Sequence, residues 1–331
     1  MGKYSVRIKD SYGVFTLPQL SDISKGWLRC VIPHVKSLKQ MTEFDQRSDT
    51  PWPSAIDTGC GNHAAAVSLA AKLRGIPAYI VIPKNAPKCK VENVKRYDGH
   101  VIWSKPTMQS RESTAAKVQD ETGALLVHPF NDGRIISGQG TIALELLEQV
   151  PMVDTIVVPI SGGGLISGVA LAAKAMNPSI RILAAEPTGA DDVAQSKAAG
   201  KIVTLAQTHT IADGLRAHLG DLTCSIYVIS FLFIKIDPEK YEPSMKTRPI
   251  VRDLVDEVIT VEEGEIVEAM RMCYEILKVA VEPSGAVGLA AVLSQQFREM
   301  PTLNQCKNIV IVLSGGNVDL EIIWKSLSLQ S

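Results

Sequence analysis

No stretch of this chain is apolar over the ~18–20 residues that a membrane-spanning helix needs. The longest candidate, Ile226 to Ile234, is broken by Ser230. An excess of one charge is also missing: 34 Lys and Arg stand against 35 Asp and Glu, a net charge of −1. Nucleic acid is therefore a poor partner, since phosphate-backbone binding needs a basic excess. The cysteines (30, 60, 89, 224, 273, 306) include no Cys-x-x-Cys pair, and the histidines include no His-x-x-x-His pair. Reduced thiols are expected, and no zinc-type spacing appears. No signal peptide is recognisable, and Val6 stands where a myristoylation signal requires Ser or Thr. Together these gaps point to a cytoplasmic protein with no membrane partner.

What is abundant is apolar material, 46% of 331 residues. That suffices for a sizeable core and excludes intrinsic disorder. From residue 62 onward, short apolar runs alternate with helical patterns. Strands are expected at 78–82, 100–103, 124–128, 154–160, 180–186 and 308–313. Helices are expected at 64–74, 87–97, 108–122, 138–149, 165–176, 262–278 and 284–298. In the 262–278 segment, Ile266, Met270, Cys273 and Leu277 recur at helical spacing. This alternation means right-handed βαβ units, parallel sheets, and ligands at the C-terminal ends of strands. Two stretches break the pattern: residues 1–60, and an apolar burst at 224–248. Both are expected to be irregular. The burst puts Ile226 to Ile234 near the surface, an aggregation hazard.

Ser161-Gly162-Gly163-Gly164-Leu165 lies between an apolar strand and a helix. Such a loop turns sharply, gathers N–H groups and adds the positive end of a helix, which together cradle a phosphate. It is neither a Walker A loop nor a Gly-x-Gly-x-x-Gly loop. Ser314-Gly-Gly-Asn317 follows the last strand, where a hydroxyl can meet a ligand. Gly61-Asn62-His63 enters a helix, offering N–H groups and an amide, or simply an Asn cap. Glu186 to Asp192 gathers carboxylates and carbonyls suited to Mg²⁺ or Ca²⁺. A capped helix start at Asp191 and Asp192 is the competing reading.

In combination and order, these segments resemble the fold-type II pyridoxal-phosphate (PLP) enzymes, the tryptophan synthase β-like family. Ile211-Ala-Asp-Gly-Leu-Arg216 and Glu282-Pro-Ser-Gly-Ala286 belong to the same set. The resemblance is strongest to the branch that racemises and dehydrates serine, an isomerase and lyase chemistry; threonine/serine dehydratases come next. It implies two α/β domains with a cofactor cleft between them: a small domain at 55–135 and a large one at 136–331, after an atypical segment 1–54. It further implies a homodimer and a small amino-acid substrate, serine or threonine. Ser161, Gly162, Gly163, Gly164 and Leu165 would hold the PLP phosphate. Asn62 would bond the ring hydroxyl, Gly214 would line the cofactor, and Ser314 would face the pyridine nitrogen. Gly61, Asn62 and His63 would bind the substrate carboxylate. Glu186, the carbonyl of Ala190 and Asp192 would hold a structural or activating cation.

The resemblance stops at Gly61. The family's Schiff-base lysine lies in a Ser-Phe-Lys-x-Arg-Gly-Ala type segment, and none of Lys3, Lys9, Lys25, Lys36 and Lys39 has that setting. Cys60 occupies the position of the serine that exchanges a proton on the opposite face. Ten of residues 225–241 are Ile, Tyr, Phe or Lys, types favoured by A/T-rich codons. That composition reads as intron sequence carried into the chain, with a wrong upstream exon supplying residues 1–60. The expectation is a chain inactive for want of its lysine, a non-catalytic PLP-binding relic or the product of a mis-spliced message.

Overall fold

The structure, a computed structural model, describes residues 27–31, 53–59, 61–224, 250–302, 306–317 and 319. Cys60, residues 225–248 and every lysine upstream of Gly61 lie outside the described residues. The chain falls into two compact units, one of them holding residues 139–316 and the strand at 27–31. The other contains the described residues from 53 to Gly138.

The first described element is strand β1 (Trp27–Val31). In the second unit follow β2 (Ala55–Asp57), α1 (Asn62–Arg74), β3 (Ala78–Pro83), α2 (Lys88–Arg96), β4 (His100–Ser104), α3 (Met108–Thr122) and β5 (Leu125–Leu126). The sheet order is β4-β3-β2-β5, and all its pairings are parallel. Strand alternation divides the core between the two faces. Ala55, Ile80 and Ile82 pack with Ala64, Val67 and Val91, while Ile56 and Val81 pack with Ala115 and Val118. Helix ends carry ordinary stop signals. Gly75 and Gly123 close α1 and α3 in the left-handed conformation, and Thr107 caps α3 by accepting from the Ser110 N–H.

The larger unit is built from α4 (Gly133–Gln149), which begins in the smaller one, β6 (Thr155–Pro159), α5 (Gly164–Met176), β7 (Arg181–Pro187) and α6 (Asp192–Ala199). After these come α7 (Asp221–Cys224), α8 (Ile250–Leu254), β8 (Glu257–Val261), α9 (Glu263–Met272), α10 (Pro283–Leu293), α11 (Gln295–Arg298) and β9 (Asn308–Val312). The sheet runs β1-β9-β6-β7-β8, parallel throughout. Every residue of β6 is buried, as a strand covered on both faces requires. The apolar helix α10 lies across the sheet. Gly288 permits that approach, because a Cβ there would stand 3.0 Å from Ile311 Cγ2.

Two expectations change. The stretch 1–60, read as irregular, contributes β1 and β2. Its strand β1 pairs with β9 from Trp27–Asn308 to Val31–Val312. The helix read over 262–278 holds its buried seam (Ile266, Met270, Cys273, Leu277), but Cys273–Leu277 winds more widely as a π turn. Lys278 then stops it in the left-handed conformation, φ 56°.

One residue of the smaller unit sits uneasily. Asp57, at the end of β2, is wholly buried, and neither carboxylate oxygen has a hydrogen-bond partner among the described residues. His63 Nε2 stands 3.9 Å from Oδ1, and the same nitrogen lies 3.0 Å from the Val127 carbonyl. A buried carboxylate without bonds is costly, whereas valine suits a strand interior. Asp57→Val should therefore stabilise the protein by about 1–3 kcal/mol. A higher urea midpoint at unchanged slope would show this; a lower midpoint would mean that the His63 contact holds the unit together.

Candidate functional site

The glycine loop is shaped from behind. Strand β6 delivers the chain to Ser161, and Gly163 turns it into α5 at φ 89°, a conformation open to glycine. A Cβ on Gly163 would stand 2.8 Å from Thr223 Oγ1. The Thr223 hydroxyl lies 2.8 Å from the carbonyl oxygens of Gly162 and Gly220, and Gly220 N donates to Gly162 O at 3.1 Å. Ser161 Oγ donates to Ala217 O at 2.7 Å. Residues 217–223 thus occupy the loop's carbonyl and hydroxyl groups. No side chain caps α5, and its first backbone bond runs from Ser167 N to Gly163 O. The N–H groups before Ser167 project beyond the helix end, where the helix dipole is positive. The residues fit a phosphate.

The second glycine loop follows β9. Gly315 takes φ 92°, and its carbonyl accepts from Glu282 N at 3.2 Å. A Cβ on Gly285 would stand 2.5 Å from Ser314 O, so Glu282-Pro-Ser-Gly285 packs directly under this loop. Ser284 Oγ accepts from Gly214 N at 2.9 Å. Three motifs separated by up to 100 residues thus meet: the segment around Gly214, the start of α10, and Ser314-Gly315. Together with the loop at 161–165 they line the C-terminal ends of β6 and β9, where ligands of parallel sheets bind.

In the smaller unit, Gly61, Asn62 and His63 open α1, with Gly61 as N-cap and no side-chain cap bond. Asn62 is exposed, and His63 is half-buried against Val127.

Glu186, Ala190 and Asp192 are all buried in the turn after β7. The Asn- or Asp-type cap expected at 191–192 is not formed; Glu186 does the work instead. Its carboxylate accepts from Val193 N at 3.3 Å and Ala194 N at 2.7 Å, capping α6 from the strand side. Asp192 Oδ2 accepts from Leu219 N at 3.0 Å. Burial is the largest influence on both carboxyls. It pushes Glu186 up to about 8, with Asp192 and Asp191 adding repulsion, and it raises Asp192 as well. Each carboxylate oxygen keeps a second lone pair. Hard oxygens crowded at low dielectric fit a divalent cation, which would relieve that repulsion. Among the described residues no cluster of three His, Cys, Asp or Glu side chains forms a metal site. This group has two carboxylates and needs a carbonyl for its third ligand.

Sequence reading passed over the supporting residues. Thr223 and Ala217 belong to no motif, and Ser284 sits inside a quoted motif without an assigned role. Their contribution is visible only once the chain has folded back on itself.

The chain matches the family model described as "Pyridoxal-phosphate dependent enzyme" over residues 51–315. It is 68% identical over 266 residues to serine racemase of Arabidopsis thaliana, spanning 80% of this chain and 73% of that protein. The structure of maize serine racemase superposes with a TM-score of 0.80 at 54% identity, covering 94% of this chain and 89% of the other. The processed form of threonine deaminase isoform 2 from Solanum lycopersicum gives 0.76 at 27% identity, covering 94% and 80%. The family match spans most of the chain, and relatives well above 30% identity agree with it: the chain belongs to the pyridoxal-phosphate dependent enzymes.

Proposed function

We propose that the chain carries the framework of a serine racemase that also eliminates water from serine to an aminoacrylate, which water then hydrolyses to pyruvate and ammonia. The observation that carries this reading is the backed, uncapped glycine loop, set in a chain 68% identical to a plant serine racemase. When bound, pyridoxal phosphate supplies the electron sink that acidifies the substrate Cα–H. The protein's part is to hold and orient. Ser161 to Leu165 take the phosphate, and Gly214 lines the ring. Ser314 meets the ring nitrogen as a neutral partner, and Asn62 meets the ring hydroxyl. Gly61, Asn62 and His63 take the substrate carboxylate. Cys60 stands where a proton would be exchanged on the face opposite the lysine. A homodimer in the cytoplasm is part of the same reading. Among the described residues no helix is long and apolar enough to cross a membrane.

The reading includes a defect. Covalent attachment needs a lysine in the family's setting, and no upstream lysine has it. The full-length chain should bind the cofactor without turning over serine. Chiral chromatography of serine and a pyruvate assay, after incubation with PLP and L-serine, should show neither D-serine nor pyruvate. Borohydride reduction and peptide mapping should find no lysine adduct; an adduct accompanied by turnover would overturn the defect. Replacing the segment before Gly61 with a lysine-bearing family segment should restore activity. D-serine would then mark a racemase, and pyruvate alone a dehydratase.

The cradle can be tested separately. Gly163→Ala forces a side chain into the left-handed region and against Thr223. Strain of about 1–2 kcal/mol falls on the loop itself. PLP binding, followed by fluorescence quenching, should weaken at least tenfold. Unchanged binding would place the phosphate elsewhere.

Glu186, Ala190 and Asp192 hold Mg²⁺ or Ca²⁺ in this proposal, and pH provides the test. The Glu186 carboxyl titrates near 8 in the fold against an ordinary value of 4.5. Its contribution to stability is therefore complete below pH 4.5 and is lost as pH rises through about 8. A cation favours the ionised form and offsets that loss. Added Mg²⁺ should raise the thermal midpoint more at pH 8.5 than at pH 6, and Glu186→Gln should abolish the difference. An equal shift at both pH values would remove the cation from this loop.

A further inference from the structure

Strand β2 ends in a carboxylate that the fold does not answer. Asp57 is wholly buried, and among the described residues neither of its oxygens has a donor. No lysine or arginine of the described residues pairs with it; Arg111, from the start of α3, reaches the Thr58 carbonyl instead, at 3.4 Å. His63 lies 3.9 Å away, and its Nε2 stands closer to the Val127 carbonyl, at 3.0 Å. The chain passes directly over the carboxylate: a Cβ on Gly59 would stand 3.0 Å from Oδ2. Two residues later Gly61 opens α1 with no side-chain cap, and the first backbone bond runs from Ala65 N to Gly61 O at 3.4 Å.

Two fields of opposite sign therefore meet at the start of α1. The helix end is positive, and its N–H groups suit an anion. A buried carboxylate without donors keeps its charge unshared, and through a low-dielectric interior that charge acts over several ångströms. It needs no contact with a ligand to do so, and Asp57 offers none, since both oxygens are closed off from solvent. The acid opposes the helix dipole from inside the unit, and a second carboxylate arriving at Gly61 to His63 meets like charge. An amide carbonyl escapes that repulsion and still accepts from the same N–H groups.

We propose that Asp57 is a specificity-determining residue of the Gly61–His63 loop, and that it selects a neutral carboxyl derivative, an amino-acid amide, over the free carboxylate. The inference rests on the reading that this loop receives the carboxyl end of the substrate. It gives the buried acid a role: the residue that costs the smaller unit stability decides which ligand the loop accepts.

L-Serine and L-serinamide differ in the charge of the carboxyl group and share the ammonium. Each is titrated without cofactor into the full-length chain at pH 6.5 and followed by backbone-amide NMR at Gly61, Asn62 and His63. In the parent chain serinamide should bind more tightly than serine. Asp57→Asn removes the charge at constant shape, and Asp57→Val removes the carboxylate in the variant expected to be more stable. In both, the affinity for serine relative to serinamide should rise about tenfold or more, as loss of one like charge at a partly buried site does. The amides of α2 and β4, in the same unit, report that each variant is folded. An unchanged ratio in both variants overturns the proposal and leaves the loop as a carboxyl site. Tighter binding of serine than of serinamide by the parent chain also overturns it. If neither ligand moves the amides of 61–63 in any of the three chains, the reading of the loop fails and the proposal falls with it.

Discussion

The Thr223 hydroxyl holds the carbonyl of Gly162 from behind, and the binding edge of the larger unit depends on that arrangement. A loop of glycines is not a phosphate site in itself. Its carbonyls must be turned away and kept there so that its N–H groups remain available. Here the work is done by a short return of chain. Ala217 accepts from Ser161, Gly220 donates to Gly162, and Thr223 fills the space that Gly163 leaves. The same return begins at Gly214, whose N–H is held by Ser284. One strip, 214–223, thus ties the glycine loop at 161–165 to the loop after β9.

This gives the interruption at 224 its physical weight. The apolar burst read at 224–248 starts one residue after Thr223, the side chain that backs the glycine loop. Helix α7 ends at Cys224 and packs against α8, which begins at Ile250 and also packs on α5. The described ends on either side of the interruption therefore meet as neighbours. Ile250, Val251 and Leu254 are buried, so the chain re-enters the core at once. An insertion at such a point adds loop-closure entropy, which grows only slowly with length. It need not undo the packing around it. Before Gly61 no lysine stands in a Ser-Phe-Lys-x-Arg-Gly-Ala type segment, and Asp57 is buried with no hydrogen bond among the described residues.

How far the sequence could be read follows from the range of the interactions. The strand–helix alternation after residue 62 was visible because each element carries its own period and stop signals, as α1 does with Lys72, Arg74 and Gly75. Strand β1 was not visible. Five residues, Trp-Leu-Arg-Cys-Val, carry too little pattern, and they become a strand by pairing with β9 at the far end of the chain. The π turn at Cys273–Leu277 was hidden for the opposite reason. The buried seam keeps helical spacing, while the backbone register widens beneath it. In the turn after β7 the residue types left an oxygen cluster and a cap at Asp191 and Asp192 as competing readings. Only the fold shows that Glu186, rather than Asp191, does the capping.

The larger unit places a different chemistry at the ends of four neighbouring parallel strands. Strand β6 ends in N–H groups, β7 in buried carboxylates, β9 in a serine and a glycine turn, and β8 in Glu263. The first three are the groups to which the proposed cofactor and cation are assigned. The fourth lies in the same row, where Glu263 Oε2 accepts from Ile211 N at 2.8 Å. A parallel sheet directs strand ends, and the helix starts that follow them, to one side, so polar groups on that side must find partners or ligands. Where the chain supplies the partners, as Thr223 does for Gly162, the site is set for one ligand.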